Sequence, residues 1–342
     1  VTTPDPLLPF DLGRFRTKPL AGRGHLVETG RFAKAIPPTA SAADFVASLP
    51  AFLGAQALRD LARAIVHARR GGRPVVWGMG GHVVKVGLAP LLLDLLDRGY
   101  VQGFVMNGAA AIHDSEIAME GSTSEDVGAG LLEGAYGNAQ ETGVLFAEAA
   151  AVAAKSGLGF GTALGDALLA RRPRNAALSL LCRARAAGVP VTVHVAVGTD
   201  TVHMHPACDG AALGAATHGD FRRLASLVEG MDGGVYLNVG SAVLLPEVFL
   251  KAVAVVHNAN GGKRVSITTG NLDFLKHYRP RVNVVERPAV KGYDVTGHHE
   301  ILVPLLRIAI LAEEGGALSE AGRGLAAENE NNRGGGGRGT AP

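Results

Sequence analysis

The sequence predicts an α/β fold, a mainly parallel sheet with helices on both faces, and three observations carry that prediction. Apolar strands alternate with amphipathic helices from about residue 74 to residue 313. The strands read as near-continuous apolar runs, PVVW at 74–77, VQGFVM at 101–106 and PVTVHVAV at 190–197, as strands buried on both faces do. Glycine and polar residues gather just past these strands, at the edge where open α/β sheets bind ligands.

Residues 1–38 are irregular, proline-containing and basic (Arg14, Arg16, Lys18, Arg23, Arg31, Lys34), which suits an arm across a neighbouring subunit, or a flexible tail for the first dozen. From Ser41 the spacing of Phe45, Leu49, Phe52, Leu58, Leu61 and Ile65 is helical, with a break at Pro50 and a stop at Gly71-Gly72. The strand at 74–77 leads to a helix over 83–98 closed by Gly99, a strand at 101–106 and a helical segment near 114–120. Helices follow over 141–156, 164–171 and 174–187, and the strand at 190–197 ends in Gly198-Thr199-Asp200. A helix over 219–229, a strand at 234–239, a helix over 246–256, strands at 264–269 and 281–285 and a helix over 300–313 complete the pattern. No linker interrupts it, so residues 39–314 are expected to form one domain, followed by a disordered tail over 315–342 that cannot build a core.

Composition narrows the function. Of 342 residues, 47% are hydrophobic and 19% charged, with mean hydropathy +0.19, apolar enough to expect surface buried in an oligomer. A net charge of +2 argues against nucleic acid as the main partner. No apolar run reaches the ~18 residues of a membrane span, and no signal-peptide core is seen at the N-terminus. Cys182 and Cys208 have neither metal-site nor disulfide spacing, so a cytoplasmic location is expected.

The candidate site residues follow the strands. Gly80 and Gly81, between a strand and a helix, place backbone N–H groups where a phosphate is held, although the third glycine of the dinucleotide pattern is replaced by Val83. Lys85 can meet a phosphate or carboxylate. Asn107, Gly108, His113, Asp114 and Glu116 follow the second strand, and a histidine beside carboxylates suits proton transfer. Asp200, His203 and His205 follow the third; they suit a ribose or amine, with a zinc-dependent hydrolase as the alternative. Gly240 and Ser241 open the helix after the fourth strand and Thr269 ends the fifth, while Glu247 and Lys251 have the spacing of a helical ion pair.

Taken in order, these segments resemble deoxyhypusine synthase. The likeness lies in WGMGGHVVKVGLAPLLLDLLDRG, FVMNGAAAIHDSEIA, GVPVTVHVAVGTDTVHMHP, GGVYLNVGSAVLLPEVFLKAVAVVHNANGG and DVTGHHEILVPLLRIAI. FVMNGAAAIHDSEIAMEGSTS is equally similar to the NAD-dependent ornithine cyclodeaminase domain of bifunctional arginine-degrading enzymes. The resemblance implies a Rossmann-like, deoxyhypusine-synthase-like fold assembled as a homotetramer or homodimer, with NAD held by Gly80, Gly81, Asn107, Gly108, Asp200, Gly240, Ser241 and Thr269. It further implies action on a small amine or amino acid through an imine, with His113, Asp114, His203, His205 and Lys85 as the catalytic candidates. The family's lysine nucleophile has no counterpart in matching context, since Trp77 is the single tryptophan and neither Lys251 nor Lys276 sits in the expected motif. Deoxyhypusine synthesis itself is therefore not expected; a non-catalytic NAD-binding protein is the remaining alternative.

Overall fold

In the computed structural model, which describes residue 7, residues 9–316 and residue 318, six parallel strands form one sheet. They are β1 (Val75–Met79), β2 (Gly103–Asn107), β3 (Val191–His194), β4 (Val235–Val239), β5 (Thr268–Asp273) and β6 (Lys291–Thr296). The spatial order β3-β2-β1-β4-β5-β6 runs outward in two directions from β1 and β4, so the switch point at which such sheets hold ligands lies between those two strands. Every residue of β1 and β4 is buried, as their uninterrupted apolar runs require. Trp77 and Met79 of β1 face one core and Val76 faces the other, which Tyr236 of β4 shares. The buried Trp77 indole donates from Nε1 to the Tyr100 carbonyl at 3.1 Å.

Helices α1 (Ala42–Ser48), α2 (Leu53–Arg70), α3 (Gly81–Lys85) and α4 (Ala89–Asp97) precede and follow β1, and α5 (Gly108–Glu120) follows β2. Then come α6 (Val127–Glu133), α7 (Gln140–Ser156), α8 (Phe160–Ala170), α9 (Leu180–Ala186), α10 (Gly210–Glu229) and α11 (Leu244–Ala259). A short turn α12 (Tyr278–Pro280) runs into a π-helical segment (Arg281–Glu286), and α13 (His299–Glu314) closes the chain, packed on α2.

Several expected bounds shift. The expected strand at 281–285 is helical: Pro280, at φ −56° and ψ −45°, already holds a helical conformation and leads into the π-helical segment. The sixth strand is instead Lys291–Thr296, and the strand expected at 264–269 begins at Thr268. The single helix expected over 83–98 is two, because Gly87 adopts φ +78° and Pro90 sits in the first turn of α4. Helix α5 begins six residues before the expected start, and α6 stands where no helix was expected.

Residues 9–36 form an almost wholly exposed arm, anchored where Lys34 N donates to Ser48 O at 2.9 Å and Ala51 N to Arg31 O at 2.8 Å. The tail expected to be disordered lies, apart from residues 315, 316 and 318, outside the described residues. Among the described residues no helix is long and apolar enough to cross a membrane.

Candidate functional site

A cavity of about 840 Å³ opens at the carboxyl edge of β1, β2 and β3, walled by α5, the segment around α6, the start of α7 and the loop after β3. Its charge is one-sided. Glu116, Glu120, Glu125, Glu141 and Asp200 line it, and Lys85, exposed at the end of α3, is the one Lys or Arg among the described residues of its wall.

Helix α5 positions the polar floor. Asn107 caps it, its side-chain oxygen accepting from Ala110 N at 2.8 Å. From a helix that starts at Gly108, residues 113, 116 and 120 fall on one face, and His113 and Glu116 both reach the cavity. His113 Nδ1 lies 2.6 Å from the Thr123 hydroxyl, and that hydroxyl donates to Glu116 Oε2. Thr142 donates to Glu116 Oε1 at 3.3 Å. Burial alone raises the Glu116 pKa, but the adjacent His113 ring and the hydrogen bonds from Thr123 and Thr142 outweigh it and leave the carboxyl below its ordinary value.

The loop after β3 supplies the second polar group. Asp200 lies against the Cα of Gly108, where a Cβ would collide with the carboxylate. Its Oδ2 is buried with no hydrogen-bond partner, and burial raises its pKa to about 6. His203 Nδ1 accepts from Gly198 N at 3.1 Å and Asp200 N at 3.2 Å, so the proton of the neutral ring resides on Nε2. That Nε2 is also buried without a partner, 3.8 Å from Asp200 Oδ2. Burial lowers the His203 pKa, which keeps the ring neutral.

Other expected site residues sit elsewhere. Asp114 points away from the cavity: its carboxylate accepts from Ser179 Oγ (2.6 Å), Leu180 N (2.7 Å) and Leu181 N (3.0 Å), capping α9. The catalytic role expected for it is corrected to a structural one, because residues 113 and 114 diverge by about 100° on a helix. His205 turns onto α7, its ring filling the space where a Cβ of Gly143 would stand, and its Nδ1 accepts from Ala207 N at 3.1 Å. His205 therefore stands apart from His203 and Asp200, the trio that the alternative of a zinc-dependent hydrolase needs together, and among the described residues no three His, Cys, Asp or Glu side chains gather to hold an ion.

The cofactor candidates divide in the same way. A Cβ on Gly80 would collide with the Gly240 carbonyl, and one on Gly81 would lie 2.9 Å from Ala109 Cβ. The bare face of Gly80 thus serves the close contact of the β1 and β4 ends, that of Gly81 the packing of α3 on α5, and that of Gly240 the approach of His299, none of them an open phosphate cradle. The hydroxyl of buried Ser241 accepts from Leu245 N at 3.2 Å at the start of α11. Thr269 is near the beginning of β5, not its end, and donates within the core to the Val284 carbonyl at 2.8 Å. Lys251 pairs with Glu247 on the surface, as its spacing suggested.

The sequence reading missed the acidic wall from α6 to α7. The signal was present: residues 99–154 hold no Lys or Arg and eight acidic residues.

No protein-family model and no curated protein matches this chain. Among solved structures, the ternary complex of AgrE with ornithine and NAD+ superposes with TM-score 0.50 at 15% identity, over 75% of this chain and 32% of that one. This chain thus spans about a third of the length of AgrE. A putative deoxyhypusine synthase from Entamoeba histolytica superposes at TM-score 0.47 and 11% identity, over 82% of this chain and 96% of that one. A conserved putative LOR/SDH protein from Methanococcus maripaludis S2 gives 0.46 and 14%, over 81% and 72%. The last two fits are too loose to carry an argument. The first shows the fold: a Rossmann-like α/β sheet of the kind that the sequence resemblance implied, in a divergent chain.

Proposed function

We propose that the protein is an NAD-dependent enzyme that acts on a small amine or amino acid, transiently dehydrogenating the carbon that bears nitrogen. One observation carries the reading: a single cavity joins an acidic wall to Asp200, whose buried Oδ2 and the neighbouring buried His203 Nε2, 3.8 Å away, are both unmatched polar atoms. Asp200 Oδ2 accepts and His203 Nε2–H donates. A hydroxyl, which does both, satisfies the two together. An ammonium would leave Nε2–H unmatched, and a carboxylate would be repelled by Asp200.

A ribose hydroxyl of NAD meets that requirement, and the missing Cβ of Gly108 gives the Asp200 carboxylate its place at the N-terminus of α5. The group that fits these residues is the ribose; the closed contacts of Gly80, Gly81 and Gly240 make no comparable case for the pyrophosphate. When bound, NAD would supply the acceptor for a hydride from the substrate carbon.

The chain's own residues account for the rest. Glu116, Glu120, Glu125 and Glu141 favour a cationic substrate over an anionic one. His113 and Lys85 both line the cavity; His113 would take a proton from the substrate nitrogen, and Lys85 would meet the carboxylate of an amino acid. Lys85 is the one lysine among the described residues of the wall, and the reading gives it the substrate carboxylate, with no lysine-bound imine in the reaction.

Calorimetry with NAD, followed by ornithine, putrescine and spermidine on the NAD-loaded protein, tests this. NAD should bind, and Asp200→Ala should weaken it roughly 10-fold or more, as expected for a lost hydrogen bond to a charged group. Absence of NAD binding at millimolar concentration would remove the proposal.

A further inference from the structure

Thr123 lies in the segment joining α5 to α6, and its position is dictated by two turns of unusual backbone. Helix α5 ends at Gly121 in the left-handed conformation (φ +77°), and Ser124 holds φ +70°. A non-glycine residue there costs on the order of 1 kcal/mol and persists only where its surroundings fix it. Between these turns the chain folds back, and Thr123 meets two side chains of the preceding helix, His113 and Glu116. Ser122, Thr123, Ser124 and Glu125 all belong to the cavity wall.

The three polar groups admit one arrangement of protons. An ionised carboxylate can only accept, and the threonine hydroxyl has a single proton, which it gives to Glu116 Oε2. The hydroxyl oxygen, 2.6 Å from His113 Nδ1, must then accept from that nitrogen. Thr142, donating to the other oxygen at 3.3 Å, keeps Glu116 directed into the network. No described protein group bonds Nε2 of His113.

We propose that Thr123 is a positioning residue, holding His113 as the Nδ1–H tautomer through the Glu116 carboxylate and so leaving the Nε2 lone pair as the proton acceptor in the cavity. The tautomer follows from the contacts alone; the role of Nε2 rests on the function proposed above. Because a histidine ring in water prefers the opposite tautomer, with its proton on Nε2, removal of the threonine hydroxyl should be visible in the ring itself. The segment carrying Thr123 also continues into α6, so any displacement of the α6 segment from the cavity would release the tautomer along with the wall.

The test is a long-range ¹H–¹⁵N correlation of the imidazoles in the intact protein above pH 7.5, with His113 assigned through His113→Gln. His113 should show a protonated Nδ1 and an unprotonated Nε2. Thr123→Val should move the ring mainly to the Nε2–H form, and Thr123→Ser should restore the wild-type pattern. In turnover, Thr123→Val should lower kcat about 10- to 100-fold with less than a threefold change in KM, the scale of misplaced proton transfer. A wild-type His113 protonated at Nε2, or an Nδ1–H ring unchanged in Thr123→Val, would overturn the inference. Failure of NAD or amine binding would leave the tautomer result standing and remove only the function, so the two are separable.

Discussion

At the scale of single residues, Asp200 is the side chain whose chemistry and folding are most clearly opposed. Its carboxyl, pushed up to about 6 by burial, prefers its proton in the folded state. A folded pKa above the unfolded one contributes stability that is complete below about pH 4 and lost as pH rises through about 6. The shift of about two units corresponds to roughly 3 kcal/mol at most, because the positive N-terminus of α5 beside Gly108 works in the other direction. Asp200→Asn should therefore raise stability at pH 8 relative to wild type and leave it nearly unchanged at pH 4, measured by urea unfolding at both values. A parallel loss in wild type and variant would show that the buried charge is not responsible. Asp114 is the converse case. Asp114→Ala strands the Ser179 hydroxyl and two amides of α9 and should cost about 3 kcal/mol or more. A cost below 1 kcal/mol would contradict the capping role. Both aspartates stand just past an apolar strand or early in the following helix in the sequence, and nothing there separates them. The distinction becomes visible only once α5 is known to start at Gly108, which puts His113 and Glu116 on one face and Asp114 on another.

At the scale of elements, the glycines that looked like a phosphate cradle hold two halves of the sheet together. Gly80 N donates to Val239 O at 2.9 Å and Gly240 N to Leu272 O at 3.1 Å, so the ends of β1, β4 and β5 are tied in one row. Gly80→Ala should cost more than about 2 kcal/mol, since the added Cβ meets the Gly240 carbonyl and backbone cannot yield as a side chain tip does. Gly87→Ala, where φ is +78° but nothing lies within 4 Å of the new Cβ, should cost only about 1 kcal/mol. Equal costs from chemical denaturation would refute the packing argument. The strand–helix alternation was legible because each strand is apolar throughout, whereas the β-branched run Val282, Val284, Val285 reads as a strand and is wound into a π-helical segment behind Pro280. Local propensity yields there to tertiary context: Val284 is fully buried against the core around α11, and its carbonyl takes the Thr269 hydroxyl. The acidic wall eluded the reading for another reason. It lies on a connection between elements, where apolar periodicity carries no information about which side chains converge.

For the whole molecule, the arm carries a run of exposed large apolar side chains. Phe10, Leu12, Phe15, Leu20, Leu26 and Val27 are each more than 60% exposed, although single exposed apolar residues are ordinary on a protein surface. They alternate with Arg14, Arg16, Lys18 and Arg23, and Leu131 and Leu132 on α6 are similarly exposed beside acidic Glu133. A basic, apolar arm and an acidic, apolar α6 segment are complementary in both charge and character. We therefore expect a homo-oligomer in which the arm of one copy lies over another, and its stability to fall with added salt as the charged contacts are screened. Light scattering coupled to size exclusion should give a multiple of 35.2 kDa at low salt. Removal of residues 1–30 should shift it toward the monomer without changing the circular dichroism spectrum, because residues 9–30 are exposed and their backbone hydrogen bonds run within the arm. Leu131→Lys with Leu132→Lys should do the same from the other side of the contact. A full-length protein that stays at 35 kDa from micromolar to millimolar concentration, or a truncated one with unchanged assembly, would show that the arm has some other partner.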